Sequence, residues 1–201
     1  MAWGNPSKLR VAQRLAGALG YLALAHSDRL HVTTLHAKTQ RPFGPAQGKG
    51  RMVELLRYIS NIAPASEIDL AASIEQLARQ HQRGGIVVIC SDLLLTQNLE
   101  AGLARLVPPR WQVVVLHLLD PQEMQPGLLG PIELEDSETG QRLPITVDEA
   151  LLSEYRQTLK QWHEGIAAAC ARRGATYARL LTSWPLERKV VPYLRARRLL
   201  T

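Results

Sequence analysis

Apolar residues recur at helical spacing over residues 7–26, where Leu9, Val11, Ala12, Leu15, Ala16, Leu19, Leu22 and Ala23 trace one stripe behind a Ser7 N-cap. The period then changes. Leu30-His31-Val32-Thr33-Thr34-Leu35 alternates and carries β-branched residues, which predicts a strand. Residues 39–50, with Gly44, Gly48, Gly50, Pro42 and Pro45, read as a turn-rich loop with room for one short edge strand. Helical spacing returns over residues 51–62 and stops at Pro64. Another helix starts near Asp69, with Leu70, Ala71, Ile74, Leu77 and Ala78 as its stripe, and Gly84-Gly85 gives its C-cap signal.

Ile86-Val87-Val88-Ile89-Cys90 is an unbroken apolar run, the pattern of a strand buried on both faces of a parallel sheet. Residues 98–107 form a short helix closed by Pro108-Pro109, and Trp111–Leu119 is a second buried strand. Two alternating stretches around Asp136-Ser137-Glu138-Thr139-Gly140 predict a β-hairpin over residues 131–147. Asp148 caps a long helix that ends at Gly174, Thr176–Leu181 is a last strand, and residues 185–200 are a last helix. Strands alternating with helices predict an α/β sheet with helices on both faces. No repeat or composition break divides residues 1–201, so they read as one domain.

Composition narrows the class. With 201 residues, 46% hydrophobic and 21% charged, the chain suits one globular domain and excludes disorder and collagen-like design. No apolar run approaches the roughly 20 residues of a membrane helix, and residues 1–6 lack the basic and apolar regions of a signal peptide. The only cysteines are Cys90 and Cys170, which excludes a disulfide framework and leads us to expect a reduced, cytoplasmic setting. A net charge of +6 permits an acidic partner without specifying one.

In open α/β sheets the functional site lies beyond the carboxyl ends of the strands. That rule selects Asp92, after the run ending in Cys90, and Asp120, in Leu119-Asp120-Pro121-Gln122-Glu123. A carboxylate at such a tip suits a hard cation such as Mg²⁺, while a helix cap or turn is the competing reading. The string Gly44-Pro45-Ala46-Gln47-Gly48-Lys49-Gly50 is not a phosphate loop, because the glycine spacing is short and Gly50 replaces the metal-binding hydroxyl. His26, His31, His36, His81, His117 and His163 show no metal-ligand spacing, and Cys90 in an apolar strand reads as inert packing. Arg188, Lys189, Arg195, Arg197 and Arg198 form a basic patch without a nucleic-acid motif, so it reads as a solvated face or a surface for an acidic protein, with no nucleic acid expected.

These strings carry a resemblance. Lys8-Leu9, Asp69-Leu70, Ser91-Asp92-Leu93, Leu119-Asp120-Pro121-Gln122-Glu123 and Asp136-Ser137-Glu138-Thr139-Gly140, in this order, resemble the bacterial family called domain of unknown function 58. The resemblance implies a three-layer, Rossmann-like core similar to a von Willebrand factor A domain. It also implies a metal-ion-dependent adhesion site built from an Asp-x-Ser-x-Ser loop, a Thr and an Asp. Asp92 matches the Asp, Ile68 stands where the Thr is expected, and the Asp-x-Ser-x-Ser loop would fall just before Met1. By this comparison the first, central strand is missing between residues 30–35 and 86–90. Those two strands must then pair directly or leave backbone groups facing a gap.

The function expected on this basis is a non-enzymatic protein-interaction module, working with a MoxR-type AAA+ ATPase through a face containing Asp92, Asp120 and Glu123. Asp92 is the metal-site residue. No cofactor is expected for residues 1–201 alone, and Mg²⁺ only if the upstream loop is present. The alternative is a metal-assisted hydrolase using Asp92 and Asp120. It is disfavoured because no nucleophile, base and orienting group come together in the sequence.

Overall fold

The computed structural model describes residues 5–35, 41–64, 69–94, 98–136 and 140–197. Helix α1 (Lys8–Ala25) begins behind the predicted cap, with the Ser7 hydroxyl accepting from the Arg10 N–H. Only Leu30–Val32 of the next apolar stretch forms a strand, β1, and it pairs antiparallel with β2 (Phe43–Ala46) from the turn-rich segment. A 3₁₀ turn at Lys49–Arg51 leads into α2 (Met52–Ser60). Helix α3 (Leu70–Gln80) is capped by the Asp69 carboxylate, which accepts from the Ala72 N–H at 2.9 Å.

The Gly84-Gly85 pair does not cap α3, which ends at His81. Gly84 instead turns the chain into β3 (Gly85–Ser91) with φ at +77°, and a Cβ there would lie 2.1 Å from the Arg110 carbonyl oxygen. Only glycine fits that approach.

The chain continues through α4 (Leu99–Leu103), β4 (Trp111–Leu119), α5 (Pro121–Met124), β5 (Gly130–Glu135), β6 (Arg142–Val147), α6 (Glu149–Arg172) and β7 (Thr176–Leu181). The predicted last helix is shorter and divided: a π-helical turn at Leu186–Val190 precedes α7 (Val191–Ala196). Pro192 has no N–H to give to the ladder, so a regular helix cannot run through it.

Strands β3, β4 and β7 form a parallel sheet with β4 in the middle. Residues 113–119 of β4 are all buried, and their side chains alternate between two cores. Val113 and Val115 join Ile89 with Leu70 and Ile74 of α3, Leu99 and Leu103 of α4, and Ile166 and Cys170 of α6. Val114, Leu116 and Leu118 join Ala178 and Leu180 of β7 with Val11 and Leu15 of α1 and Val190 and Leu194 near the C-terminus. A third cluster, of Leu24, Phe43, Ala46, Leu55 and Ile59, ties the β1–β2 hairpin to α1 and α2. No described helix is long and apolar enough to cross a membrane.

One expectation needs correcting. Strand β3 is not buried on both faces: Ile86 is 71% exposed and Val88 39%. Among the described residues β3 pairs with β4, and β1 pairs with β2 rather than with β3, so β3 stands at the edge of the sheet. The Gly85 N–H donates to the Arg110 carbonyl on the β4 side. Alternation along a parallel strand therefore turns the backbone groups of Ile86, Val88 and Cys90 toward the open edge.

Candidate functional site

The carboxyl ends of β3, β4 and β7 lie side by side, with Ser91 opposite His117, and His117 opposite Arg179. This brings Asp92, Asp120 and Thr182 to one end of the sheet. Asp120 is 4% exposed and fully engaged. Its carboxylate accepts from the Gln122 N–H at 2.9 Å and from the Thr182 hydroxyl at 3.2 Å. Its own N–H donates to the Glu123 carboxylate at 3.0 Å, completing a capping box at α5 with Pro121 in the first turn. The helix-cap reading of Asp120 is thus realised in the structure.

Glu123 reaches further. Its other carboxylate oxygen takes an ion pair from Lys8, whose side chain is buried at the start of α1. The Glu123 backbone carbonyl accepts from the Tyr155 hydroxyl at 2.7 Å, which ties α5 to α6. A lysine is almost never fully buried unless it is paired, so Lys8 and Glu123 stand or fall together.

Asp92 sits behind β3, 8% exposed. Its carbonyl accepts from His117 Nε2 at 2.9 Å, and His117 Nδ1 accepts from the Tyr177 hydroxyl at 2.7 Å. A carbonyl can only accept, so Nε2 carries a proton, and in the neutral ring Nδ1 is the acceptor. Burial, with the neighbouring His163 adding to it, pushes His117 down to about 4. The His163 ring lies 5.4 Å from that of His117, and burial followed by Arg179 also lowers its pKa. The next residue, Leu93, takes a left-handed φ of +52° while its side chain is 2% exposed, so the core holds the strained turn in place. The Leu93 N–H donates to the Ser91 hydroxyl at 3.1 Å.

Among the described residues, no three His, Cys, Asp or Glu side chains converge as ligands. Ile68 and the possible substitutes Ser66 and Glu67 lie outside the described residues, as do residues 1–4 and most of the 136–140 string. Cys90 and Cys170 carry thiols that burial pushes up, to about 12 and about 11, so neither is a nucleophile near neutral pH.

With this geometry in hand, the chain can be placed among known proteins. The family described as "Protein of unknown function DUF58" matches residues 3–164. The chain belongs to this family. An uncharacterised protein of Mycobacterium tuberculosis is 26% identical over 194 residues, covering 95% of this DUF58 chain. The DUF58 chain spans 61% of that relative's length. An uncharacterised protein of Mycobacterium avium is 28% identical over 130 residues, or 65% of this chain and 76% of its own length. The crystal structure of the conserved hypothetical protein BatB from Bacteroides thetaiotaomicron is similar with a TM-score of 0.49 at 16% identity, over 96% of this chain and 89% of that one.

The structure places Asp92, Asp120 and Glu123 of the DUF58 chain at one end of the sheet, among groups that the sequence did not single out for this site. Lys8 entered only through the Lys8-Leu9 string, and its local signal was weak: a basic residue at a helix N-terminus, where the dipole disfavours it. His117 showed no metal-ligand spacing, and its link to Asp92 leaves no trace in sequence, because the acceptor is a backbone carbonyl. The described members of the C-terminal basic patch, Arg188, Lys189, Arg195 and Arg197, are exposed, and two of them lie over aromatic rings. Lys189 lies 4.5 Å from the Trp184 ring, and Arg197 lies 5.0 Å from the Tyr193 ring while donating to the Tyr177 carbonyl.

Proposed function

We propose that this DUF58 chain is a non-enzymatic protein-interaction module with a von Willebrand factor A-like core, and that it engages its partner through the end of the sheet carrying Asp92, Asp120 and Glu123. The observation that carries the reading is that Asp92 and Asp120 follow the adjacent strands β3 and β4 at one end of the sheet, with Asp120 and Glu123 committed to internal bonds that hold this end rigid. Both ring nitrogens of His117 are engaged, so it is no free base for the neighbouring Ser91 hydroxyl. That favours binding over hydrolysis. The partner proposed from the family resemblance is a MoxR-type AAA+ ATPase. Mg²⁺ at Asp92 would need further oxygen ligands beyond those of the described residues.

A pull-down or calorimetric titration with such an ATPase tests the interface. Asp92→Ala, alone and combined with Asp120→Ala, is expected to weaken the complex at least tenfold with an unchanged circular dichroism spectrum. Full affinity in the double variant rejects this face, and no binding by the unaltered chain rejects the partner.

The open edge of β3 supports the von Willebrand A-like reading in a second way. The opposite edge, β7, is protected by exposed Arg179 in mid-strand and by Arg197 on the Tyr177 carbonyl. Strand β3 has neither a charge nor a proline, yet natural edges usually carry one or the other. We infer that one further parallel strand belongs beside it. Pairing this edge with one more apolar parallel strand, added as a peptide, is expected to raise the melting temperature by about 4 °C or more, because paired backbone groups and covered Ile86 and Val88 stabilise the sheet. An unchanged melting temperature counts against the inference.

A further inference from the structure

Charge is divided unevenly along this chain. Residues 1–60 hold nine Lys and Arg against two Asp and Glu, whereas residues 61–201 hold 15 against 16. The net charge of +6 therefore originates in the first segment. The fold collects the excess on one side of the parallel sheet. Helix α1 shares the core of Val114, Leu116 and Leu118 with Val190 and Leu194 of the C-terminal segment, and α2 packs beside α1. There the Gln13 side chain donates to the Ile59 and Ile62 carbonyls, and a Cβ on Gly17 would lie 3.5 Å from the Leu56 side chain. Helices α1, α2 and α7 with the preceding π-helical turn carry seven Lys and Arg against two Asp and Glu. Helices α3, α4 and α6, on the opposite face of the sheet, carry four against five. Of the two acids on the basic side, Glu54 is paired with Arg51.

The outer surface of α1 and α2 is also partly apolar. Arg10, Arg14, Gly17 and Tyr21 follow one another along α1 at helical spacing, and Leu56 of α2 lies beside Gly17 in that row. Tyr21 is 45% exposed, Leu56 47%, and Val53, one turn before it, 67%. Arg10, Arg14 and Arg57 are exposed alongside them. We propose that the α1–α2 surface docks peripherally on an anionic lipid bilayer. Apolar tips enter the boundary between headgroups and acyl chains, while the cations hold anionic headgroups. The combination of the two features selects that occupant. A nucleic acid would match the cations but would set Val53 and Leu56 against phosphate and sugar. An acidic protein would have to seat the same side chains in a cavity of its own while matching cations spread over separate helices. In a fluid bilayer anionic headgroups diffuse to each cation where it lies, and the apolar tips need no preformed cavity.

Co-sedimentation with vesicles tests this, using phosphatidylcholine alone and phosphatidylcholine with about a third phosphatidylserine, at low and high salt. The expected result is binding to the anionic vesicles only, weakening as salt screens the charges. Each cation near such a surface is worth about fivefold in partitioning, so Arg10→Gln with Arg14→Gln should weaken binding at least tenfold. Val53→Ser with Leu56→Ser should weaken it to a similar degree while leaving the salt dependence unchanged. All four positions are exposed, so the variants keep their fold, checked by circular dichroism and melting temperature. Lys160→Gln on α6, across the sheet, should bind as the unaltered chain does. Binding to neutral and anionic vesicles alike, or to neither, overturns the proposal. Full binding in either double variant overturns it too. Tighter binding to double-stranded DNA or to polyglutamate than to the anionic vesicles also overturns it, and assigns the basic side to a nucleic acid or to an acidic protein.

Discussion

Lys8→Met is expected to cost about 2 kcal/mol of unfolding free energy, and a second change, Glu123→Gln, is expected to return most of it. Removing one partner of a buried ion pair typically costs about 3–5 kcal/mol, because the remaining charge is left desolvated. Here the Lys8 side chain is 4% exposed but that of Glu123 is 26%, so water relieves part of the penalty and the lower figure applies. Methionine keeps most of the length of the lysine stem, so the variant isolates charge from volume. In the double variant a neutral amide still accepts from the Asp120 N–H, and no isolated charge remains. Urea denaturation of the four proteins closes the cycle. A Lys8→Met variant as stable as the unaltered chain would show that the pair contributes nothing. Equal losses in the single and double variants would show that lost packing, not the stranded carboxylate, sets the cost.

How much of this was legible in the sequence depends on how local the cause is. Ser7, Asp69, Asp120 and Asp148 each cap the helix that follows, because a cap is decided within three residues of chain. Strand β4 was equally plain: only a central strand needs apolar side chains at odd and even positions alike. Strand β3 shows the same apolar pattern but not the same burial, because its neighbour on one side is a matter of sheet order. The β1–β2 pairing falls between these cases. Short strands rich in turn residues have weak period signals, and Phe43–Ala46 contains a glycine and a proline that argue against a strand when read alone.

The candidate site divides along the same line. Its carboxylates were readable from strand ends, whereas Lys8 lies 115 residues from Glu123 and Tyr177 lies 60 from His117. Nothing in a local pattern joins positions so far apart. Sequence also suggested function for Asp120 where the geometry shows a cap and a Thr182 bond. A capping carboxylate at a strand tip serves both readings. It rigidifies the surface that Asp92 shares, and that rigidity is what an interaction face requires.

Acidification is expected to cost the fold about 3 kcal/mol between pH 6.5 and 4 through His117 alone. In the folded chain burial, aided by His163, holds this imidazole down to about 4, against an ordinary value of 6.5 when unfolded. The unfolded state therefore takes up the proton first as pH falls. The contribution is fully present above pH 6.5, is lost through the interval below it, and levels off under pH 4. The structural cause is plain: a proton on Nδ1 would put a cation in a buried site beside His163 and force the Tyr177 hydroxyl to turn from donor to acceptor. His163 and His31, whose pKa values are also lowered by burial, steepen the loss in the same direction. Unfolding free energies from urea curves at half-unit pH steps give the slope. His117→Gln should start less stable but lose distinctly less on acidification, which separates titration from packing. A flat profile from pH 6.5 to 4.5 in the unaltered chain, or an identical slope in the variant, would remove His117 as the acid-sensitive group at this end of the sheet.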